Sequence, residues 1–175
     1  MRVDPLLIHR LFYPQVPLVM AAQYGGRVSA MPVVSYASVS DSPPMVAVAC
    51  NPDGFTCKLA QRAGSFSLSV LDREYLTAMG RLATVSGAKV KDKLRDAGLE
   101  HGRGSVLNVP VVKASSATLE CKLRYRKRTG DHLLLVAEVR AARSRGAFTD
   151  SWDYAQYKPL LYTGWKGGMT TYPGA

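Results

Sequence analysis

Two tight turns between predicted strands constrain the fold of this chain more than any other feature of its sequence. Gly25-Gly26 separates an apolar strand, residues 16–24, from a second predicted strand at Arg27–Tyr36. Further along, R-T-G-D joins two long strands predicted at Ala117–Arg128 and His132–Ser144. Hairpins pair strands antiparallel, whereas a parallel doubly wound sheet needs a helix between successive strands. The sequence therefore predicts a mainly β protein, a closed or nearly closed antiparallel β-barrel with short helices.

The other elements follow from apolar periodicity and from turn residues. A continuous apolar run predicts a third strand, Met45–Cys50, after a loop of small polar residues at 35–44. The remaining predicted elements are an N-terminal helix capped by Asp4 and ended by Pro14, a helix at Phe55–Gly64 capped by Thr56, a strand at 65–71, a helix at Asp72–Leu82, a helical turn at Lys91–Ala97, a loop at Glu100–Asn108, an extended piece at Val109–Lys113, and a last short strand before a Gly-rich tail.

Length and charge limit the class of protein. The 175 residues fit a single domain, residues 1–175, with enough apolar side chains to bury a core. There are 23 Lys and Arg against 13 Asp and Glu, which gives a net charge of +10. Such a balance favours an anionic partner, for example nucleic acid, acidic lipid or a phosphorylated cofactor or substrate.

The cysteines and the N-terminus bear on the compartment. Cys50, Cys57 and Cys121 form an odd set without C-x-x-C spacing, which predicts a reduced cytoplasmic protein with at least two buried free thiols rather than a zinc site. The apolar run at the N-terminus is interrupted by His9 and Arg10, which is not typical of a secretory signal. No apolar run is long enough to span a bilayer, so we expect no membrane partner.

Two segments have the composition of phosphate-binding sites. Asn51 to Lys58 leads into a predicted helix, whose first N–H groups attract anions, and Thr56 and Lys58 stand beside them. Ser86-Gly87 is followed closely by Lys89, Lys91 and Lys93. Neither segment matches a Walker A or G-x-G-x-x-G motif. An ordinary capped helix with a surface lysine, and a flexible loop before a solvated helix, remain alternatives for the two segments.

Other chemistries have weaker support. The chain has three histidines and no G-x-S-x-G motif, so a Ser–His or Cys–His pair would have to form in the tertiary structure. The run K-L-R-Y-R-K-R at 122–128 interleaves cations with Tyr125, a pattern found on single-strand nucleic-acid surfaces. Strand alternation places Lys122, Arg124, Arg126 and Arg128 on one face, which is also typical of a half-solvated strand near its hairpin tip. We therefore expect no nucleic acid as partner.

Several segments, in order along the chain, resemble the flavin reductase-like FMN-binding proteins, in particular the branch of flavoredoxin and archaeal ferric reductase. The matching pieces cover about residues 14–162; they are P-V-P-L-V-M-A-A, S-Y-A-S-V-S-D-S-P-P, M-V-A-V-A-C-N-P, F-T-C-K-L-A, G-S-F-S-L-S-V-L, S-G-A-K-V-K-D-K-L, L-E-C-K-L, G-D-H-L-L-L-V-A-E-V and P-L-L-Y. The resemblance implies a Greek-key split barrel that binds FMN at a homodimer interface.

The resemblance also implies a set of site residues. The residues expected along the flavin are Ser35, Tyr36, Ala37 and Ser38; those expected near the ribityl chain and phosphate are Cys50, Asn51, Thr56 and Lys58; and Ser86, Gly87, Lys91 and Lys93 are expected to add further phosphate-side contacts. His132 is the candidate catalytic residue, near the flavin or nicotinamide. The chain departs from the branch where it carries Ser29 and Tyr36 in place of the Asn and Trp of N-x-M-x-x-S-W.

The expected function is that of an FMN-dependent oxidoreductase that takes a hydride from NADPH or NADH at flavin N5 and passes electrons to an acceptor. One alternative is a flavoredoxin-like electron carrier without efficient NAD(P)H activity. A second, from another class, is a basic nucleic-acid-binding module. Trp165 and Tyr172 in the Gly-rich tail are candidates for covering the pocket of a neighbouring subunit.

Overall fold

The computed structural model of the chain describes residues 3–146, 148–164 and 168–171. Its strands are β1 (Leu18–Tyr24), β2 (Arg27–Val33), β3 (Tyr36–Asp41), β4 (Pro44–Cys50), β5 (Ser65–Val70), β6 (His101–Arg103), β7 (Pro110–Val112), β8 (Ala117–Thr129), β9 (His132–Ser144), β10 (Leu160–Tyr162) and β11 (Met169–Thr171). Within the described ranges, seven of them form one sheet in the order β2-β1-β5-β8-β9-β4-β3, and β6-β7 and β10-β11 form two small ribbons.

The two hairpins that the sequence predicted are confirmed. Tyr24 pairs with Arg27 across Gly25-Gly26, and Thr129 pairs with His132 across the second turn. Both strand pairs are antiparallel, as are the other pairs of the seven-stranded sheet. The mainly β architecture with short helices is therefore the observed one.

The inner face of the sheet encloses an apolar cluster that we call the barrel core. Strands that are far apart in sequence contribute to it because the period of two sends every second side chain to this face. Its buried members include Leu18, Met20, Val33, Val48, Phe66, Leu68, Cys121 and Leu135.

A second cluster, the outer core, lies on the other face of β1 and β2. Helix α2 (Leu76–Thr84) and helix α3 (Lys93–Asp96) pack there. Met20 belongs to the barrel core while its neighbours Val19 and Ala21 belong to the outer core. Strand β1 is thus buried on both faces, which explains its uninterrupted apolar sequence. Other members of the outer core are Ala30, Met79, Leu82, Leu94 and Leu160.

Helix α1 (Phe55–Ala63) follows β4 and ends at Gly64, which has a φ of 62°. Its N-cap is Gly54, and no side chain caps it. The prediction that Thr56 caps this helix is therefore wrong; Thr56 lies inside the first turn. By contrast, Asp4 does cap the N-terminal 3₁₀ helix Pro5–Phe12, since its Oδ1 accepts the N–H of Leu6 at 2.9 Å.

Two predicted loops contain strands. The segment 35–44 includes β3, which pairs with β4 from Tyr36↔Val48 to Asp41↔Pro44, and the preceding strand ends at Val33 rather than Tyr36. Likewise His101–Arg103, inside the predicted loop at Glu100–Asn108, is a strand; it pairs with Pro110–Val112, which confirms the extended piece predicted at Val109–Lys113. In both places backbone pairing with a neighbouring strand stabilises an extended conformation that the local sequence did not indicate.

The cysteine prediction is wrong for two of the three residues. Cys50, at the end of β4, and Cys57, in the first turns of α1, form a disulfide with Cα atoms 6.4 Å apart. The intervening loop reverses the chain, which brings the two side chains together. Cys121 is free and buried, and desolvation raises the pKa of its thiol to about 12.

The basic run of β8 does not keep a strict alternation. A bulge between Leu123 and Tyr125 shifts its register against β9, so the single face predicted for the four cations is interrupted there. In the described part of the chain, the helices fall short of the length and apolarity that a membrane crossing requires. Trp165 and Tyr172 lie outside the described residues.

Candidate functional site

Three segments meet at the start of β2: the strand itself, the first turn of α1, and residues 86–93, which we call the lysine segment. The hydroxyl groups of Ser29 and Thr56 are hydrogen-bonded at 2.8 Å, and both residues are buried. Gly87 packs so closely against Ser29 and Phe55 that a Cβ atom there would collide with Ser29 Oγ and the Phe55 ring. Only glycine lets the lysine segment approach α1 to this distance.

Arg27 clamps the lysine segment in place. Its Nη2 donates to the carbonyl oxygens of Gly87, Ala88 and Val90 at 3.0, 2.9 and 2.8 Å, and its guanidinium lies 5.0 Å from the centroid of the Phe55 ring. Its Nε is buried without a partner. Sequence reasoning missed Arg27, because its acceptors are backbone carbonyls about 60 residues away and leave no local signal.

The first turn of α1 presents backbone N–H groups that no side chain caps. Two of the predicted phosphate ligands are engaged locally instead. Asn51 Oδ1 accepts the N–H of Asp53 at 2.8 Å, and Lys58 Nζ pairs with Asp53 Oδ1 at 3.3 Å on the surface. We call the group of α1 N–H groups, Ser29, Thr56, Gly87 and Arg27 the donor corner.

The lysine segment divides into an exposed part and a buried part. Ser86 is exposed, and its Oγ accepts the N–H of Ala88 at 3.3 Å. Lys91 is exposed, while its carbonyl accepts the N–H of Val28 at 3.0 Å. Lys93 is buried, and desolvation lowers the pKa of its ammonium group, although the charge of Asp96 opposes the change. The segment therefore wraps around the edge of β2, from α1 to the outer core.

Beyond the donor corner, the same edge of β2 borders an apolar depression of about 350 Å³, which we call the edge cleft. Strand β2 is the terminal strand of the sheet, so this edge is not covered by another strand of that sheet. The lining residues are Met31, Pro32, Val34, Leu82, Ala83, Lys93, Tyr162 and Met169. A largely apolar ligand fits such a lining.

The predicted flavin-side residues 35–38 follow directly after the edge cleft. Ser35 precedes β3, and its carbonyl accepts the N–H of Ala49 at 2.8 Å. Tyr36 packs against the barrel core and donates its hydroxyl to the carbonyl of Val16 at 2.7 Å, and burial raises the pKa of this phenol. Ala37 and Ser38 are exposed on β3.

His132 and Cys50 lie at the far end of β4 and β9. His132 is exposed at the hairpin tip, where Nδ1 is 2.8 Å from Asp131 Oδ1. The sheet register pairs the next residue, Leu133, with Cys50. Because the Cys50 sulfur is bonded to Cys57, it offers no thiol to a ligand. None of the three described histidines is hydrogen-bonded to a serine or cysteine in the described structure; their polar or ring partners are Tyr13, Asp92 and Asp131.

The chain is similar to known proteins along most of its length. The profile of the "Flavin reductase like domain" family matches residues 9–167. An uncharacterised protein of Aeropyrum pernix is 34% identical over 164 residues, which are 93% of this chain and 62% of that protein, so the chain spans less than two thirds of that relative's length. A flavin reductase of Pseudomonas putida is 31% identical over 158 residues, 90% of this chain and 84% of that protein.

Among solved structures, an FMN-binding protein of Thermus thermophilus with bound 1-cyclohex-2-enone superimposes with a TM-score of 0.83. It is 28% identical in sequence, and the match covers 98% of this chain and 93% of that one. The family profile spans nearly the whole chain, and the fold agrees with it. The chain therefore belongs to the flavin reductase-like family, whose split-barrel fold it shares.

Proposed function

We propose that the protein is an FMN-dependent oxidoreductase that accepts a hydride from NADPH or NADH and passes the electrons to an acceptor. The observation that carries the proposal is the division of the β2 edge into a donor corner and an apolar cleft. Ser29 and Met31, which belong to the two parts, are two residues apart, or about 7 Å along a strand. FMN has the same division, with a polar phosphate and ribityl chain joined to a flat ring.

The donor corner fits a phosphate group. Uncapped N–H groups at the start of a helix attract an anion, and the Thr56 hydroxyl and the unpartnered Nε of Arg27 add donors nearby. Lys58, Asn51, Ser86 and Lys91 stand around this corner as proposed rim contacts. In the edge cleft, Met31 and Pro32 would pack against the flavin ring, and Ser35 to Ser38 would border it.

In this arrangement the chain positions the cofactor and the donor, and bound flavin supplies the redox chemistry. The donor corner and the edge cleft hold the two ends of the cofactor, so they determine which face of the ring is open to a nicotinamide. His132, exposed at the hairpin tip, remains a proposed contact for the donor.

We further propose that the protein is a homodimer. The N-terminal 3₁₀ helix has no buried residue although much of it is apolar: Leu6, Leu11 and Phe12 are 80%, 66% and 69% exposed. Apolar side chains that cluster on one exposed segment mark interaction surfaces, and a second copy of the chain is the commonest partner. We keep a cytoplasmic location as part of the proposal. The Cys50–Cys57 disulfide counts against it, because reducing compartments disfavour such bonds.

An anaerobic titration tests the proposed activity. The purified protein is reconstituted with FMN, and its visible spectrum is followed while NADPH or NADH is added. Bleaching by either nucleotide supports the oxidoreductase; bleaching only by dithionite supports the electron carrier. A protein that neither retains nor rebinds FMN refutes the flavin function, and salt-sensitive retention of single-stranded DNA by such a protein would favour the nucleic-acid-binding module.

A further inference from the structure

Lys93 is a largely buried residue whose side chain lines the edge cleft. Lys93 is only 5% exposed. Among the described residues, no hydrogen bond or ion pair engages its Nζ. Asp96 is the acidic group that acts on it, but the Asp96 carboxylate is bound by Arg81 at 2.9 and 3.2 Å. Partial burial of an ammonium group without a hydrogen-bond partner costs free energy, so an anionic group in the edge cleft would stabilise Lys93.

The surroundings of Lys93 differ from those of the donor corner. Lys93 lines the edge cleft together with Leu82 and Met169, which belong to the outer core or pack against it. Ser29 and Thr56, in contrast, bond to each other on the side of β2 that faces α1. The lysine segment crosses the edge of β2 between these places, with the carbonyl of Lys91 on the N–H of Val28.

A phosphate group needs several converging donors, and the donor corner has them. The edge cleft offers a single ammonium group in an otherwise mainly apolar lining. One cation beside a mainly apolar cleft suits a largely apolar group that becomes anionic. On the proposed function, the flavin ring is such a group, because the addition of a hydride, two electrons and one proton, leaves one negative charge on its pyrimidine part.

We propose that Lys93 is the charge partner of the flavin ring rather than a ligand of the FMN phosphate, and that it stabilises the anionic reduced ring. Lys93 keeps its proton throughout, so no bond to it forms or breaks. This inference rests on the proposed function. Its consequence is that the protein binds reduced flavin more tightly than oxidised flavin. The two-electron reduction potential of the bound cofactor is therefore higher than that of free flavin.

Lys93→Met tests the inference, because methionine keeps most of the stem and removes the charge. Binding of FMN and of riboflavin, which lacks the phosphate, is measured for the oxidised and the reduced forms. We expect at least about tenfold weaker binding of both reduced flavins, little change for the oxidised forms, and a potential lower by about 30 mV for each factor of ten. Lys89→Met is the matched control; Lys89 is exposed on the same segment and should change none of these values.

Other results overturn the inference. If Lys93→Met weakens FMN equally in both redox states and leaves riboflavin unaffected, Lys93 binds the phosphate. If the variant binds every flavin as wild type does, Lys93 has no role toward the ligand. Wild type that binds no flavin at all would remove the proposed function as well, so the two failures are distinguishable.

A measurement on the unmodified protein avoids dependence on the variant's folding. The ¹³Cε resonance of Lys93 should shift on addition of reduced riboflavin, and inorganic phosphate should not move it. The opposite pattern would contradict the inference. Lys93→Arg, which keeps the charge, should retain most of the preference for reduced flavin.

Discussion

Replacing Arg27 by methionine tests whether the clamp on the lysine segment controls cofactor binding. Arg27 Nη2 reaches three carbonyl oxygens at 2.8–3.0 Å. Because this nitrogen has two hydrogens, the three contacts count as about two full hydrogen bonds. A hydrogen bond to a charged group contributes about 1.5–3 kcal/mol, and at this half-buried site the lower value applies, so the clamp contributes about 3 kcal/mol. Methionine keeps the packing on Phe55 and removes the donors.

If the lysine segment must lie against α1 for FMN to bind, most of this free energy appears in the dissociation constant. At about 1.4 kcal/mol for each factor of ten, we expect FMN to bind roughly 100-fold more weakly to Arg27→Met. Amide hydrogen exchange at residues 86–93 should become faster by a similar factor, while exchange in β5 and β8 should not change. Fluorescence titration with FMN and exchange mass spectrometry measure the two effects.

Arg62→Met is the matched control. Arg62 is exposed near the end of α1 and carries the same charge, so it reports the general electrostatic attraction for FMN without the clamp. The reasoning is refuted if Arg27→Met and Arg62→Met weaken FMN equally, or if hydrogen exchange in the lysine segment stays at the wild-type rate.

Three further predictions concern the donor corner and the fold around it. Gly87→Ala should weaken FMN binding more than tenfold in the same titration, because the new Cβ displaces the lysine segment from Ser29; wild-type affinity would show that the contact is not needed. Glu120→Gln should lower the free energy of unfolding by about 2–4 kcal/mol in urea, since the buried carboxylate accepts four hydrogen bonds from Ser105 and the next two backbone N–H groups. Burial by itself raises the pKa of Glu120, but these donors hold it below its usual value of 4.5. The stabilisation by the carboxylate is therefore present above about pH 4.5 and is lost as the pH falls through the folded-state pKa. A difference in free energy of unfolding between wild type and variant that does not shrink in acid would contradict this. Reduction of the Cys50–Cys57 disulfide should cost about 2.5 kcal/mol for a loop of this size, measured as the change in unfolding midpoint with and without dithiothreitol, and an unchanged midpoint would show that the bond does not constrain the unfolded chain.

The fold was predictable because its main signals are local. The Gly25-Gly26 turn and the alternating apolar residues of β5 determine antiparallel pairing wherever the partner strands lie. The donor corner was predictable in part. Thr56 and Gly87 were both predicted to contact the cofactor, and the structure brings both against Ser29; their contact with FMN stays a prediction.

Two other predicted site residues have local partners in this structure, and their contact with FMN stays a prediction. Asn51 and Lys58 both satisfy Asp53, within the same turn and helix start, so neither is preorganised toward the donor corner. Thr56 is a buried hydroxyl rather than a cap, because Gly54 occupies the N-cap position of α1. Within the predicted loop at 35–44, pairing with β4 stabilises β3.

The amino-acid sequence by itself determined a mainly β chain of antiparallel hairpins, with two segments suited to phosphate, because turn chemistry and side-chain periodicity act between near neighbours. Only the tertiary structure decided what each cation does. Arg27 donates hydrogen bonds to carbonyl oxygens of a distant segment, Lys58 lies on the surface, and Lys93 is buried beside the edge cleft. The physical reason is desolvation: the energy of a charged group depends on which distant residues exclude water from it, and a local pattern does not contain that information.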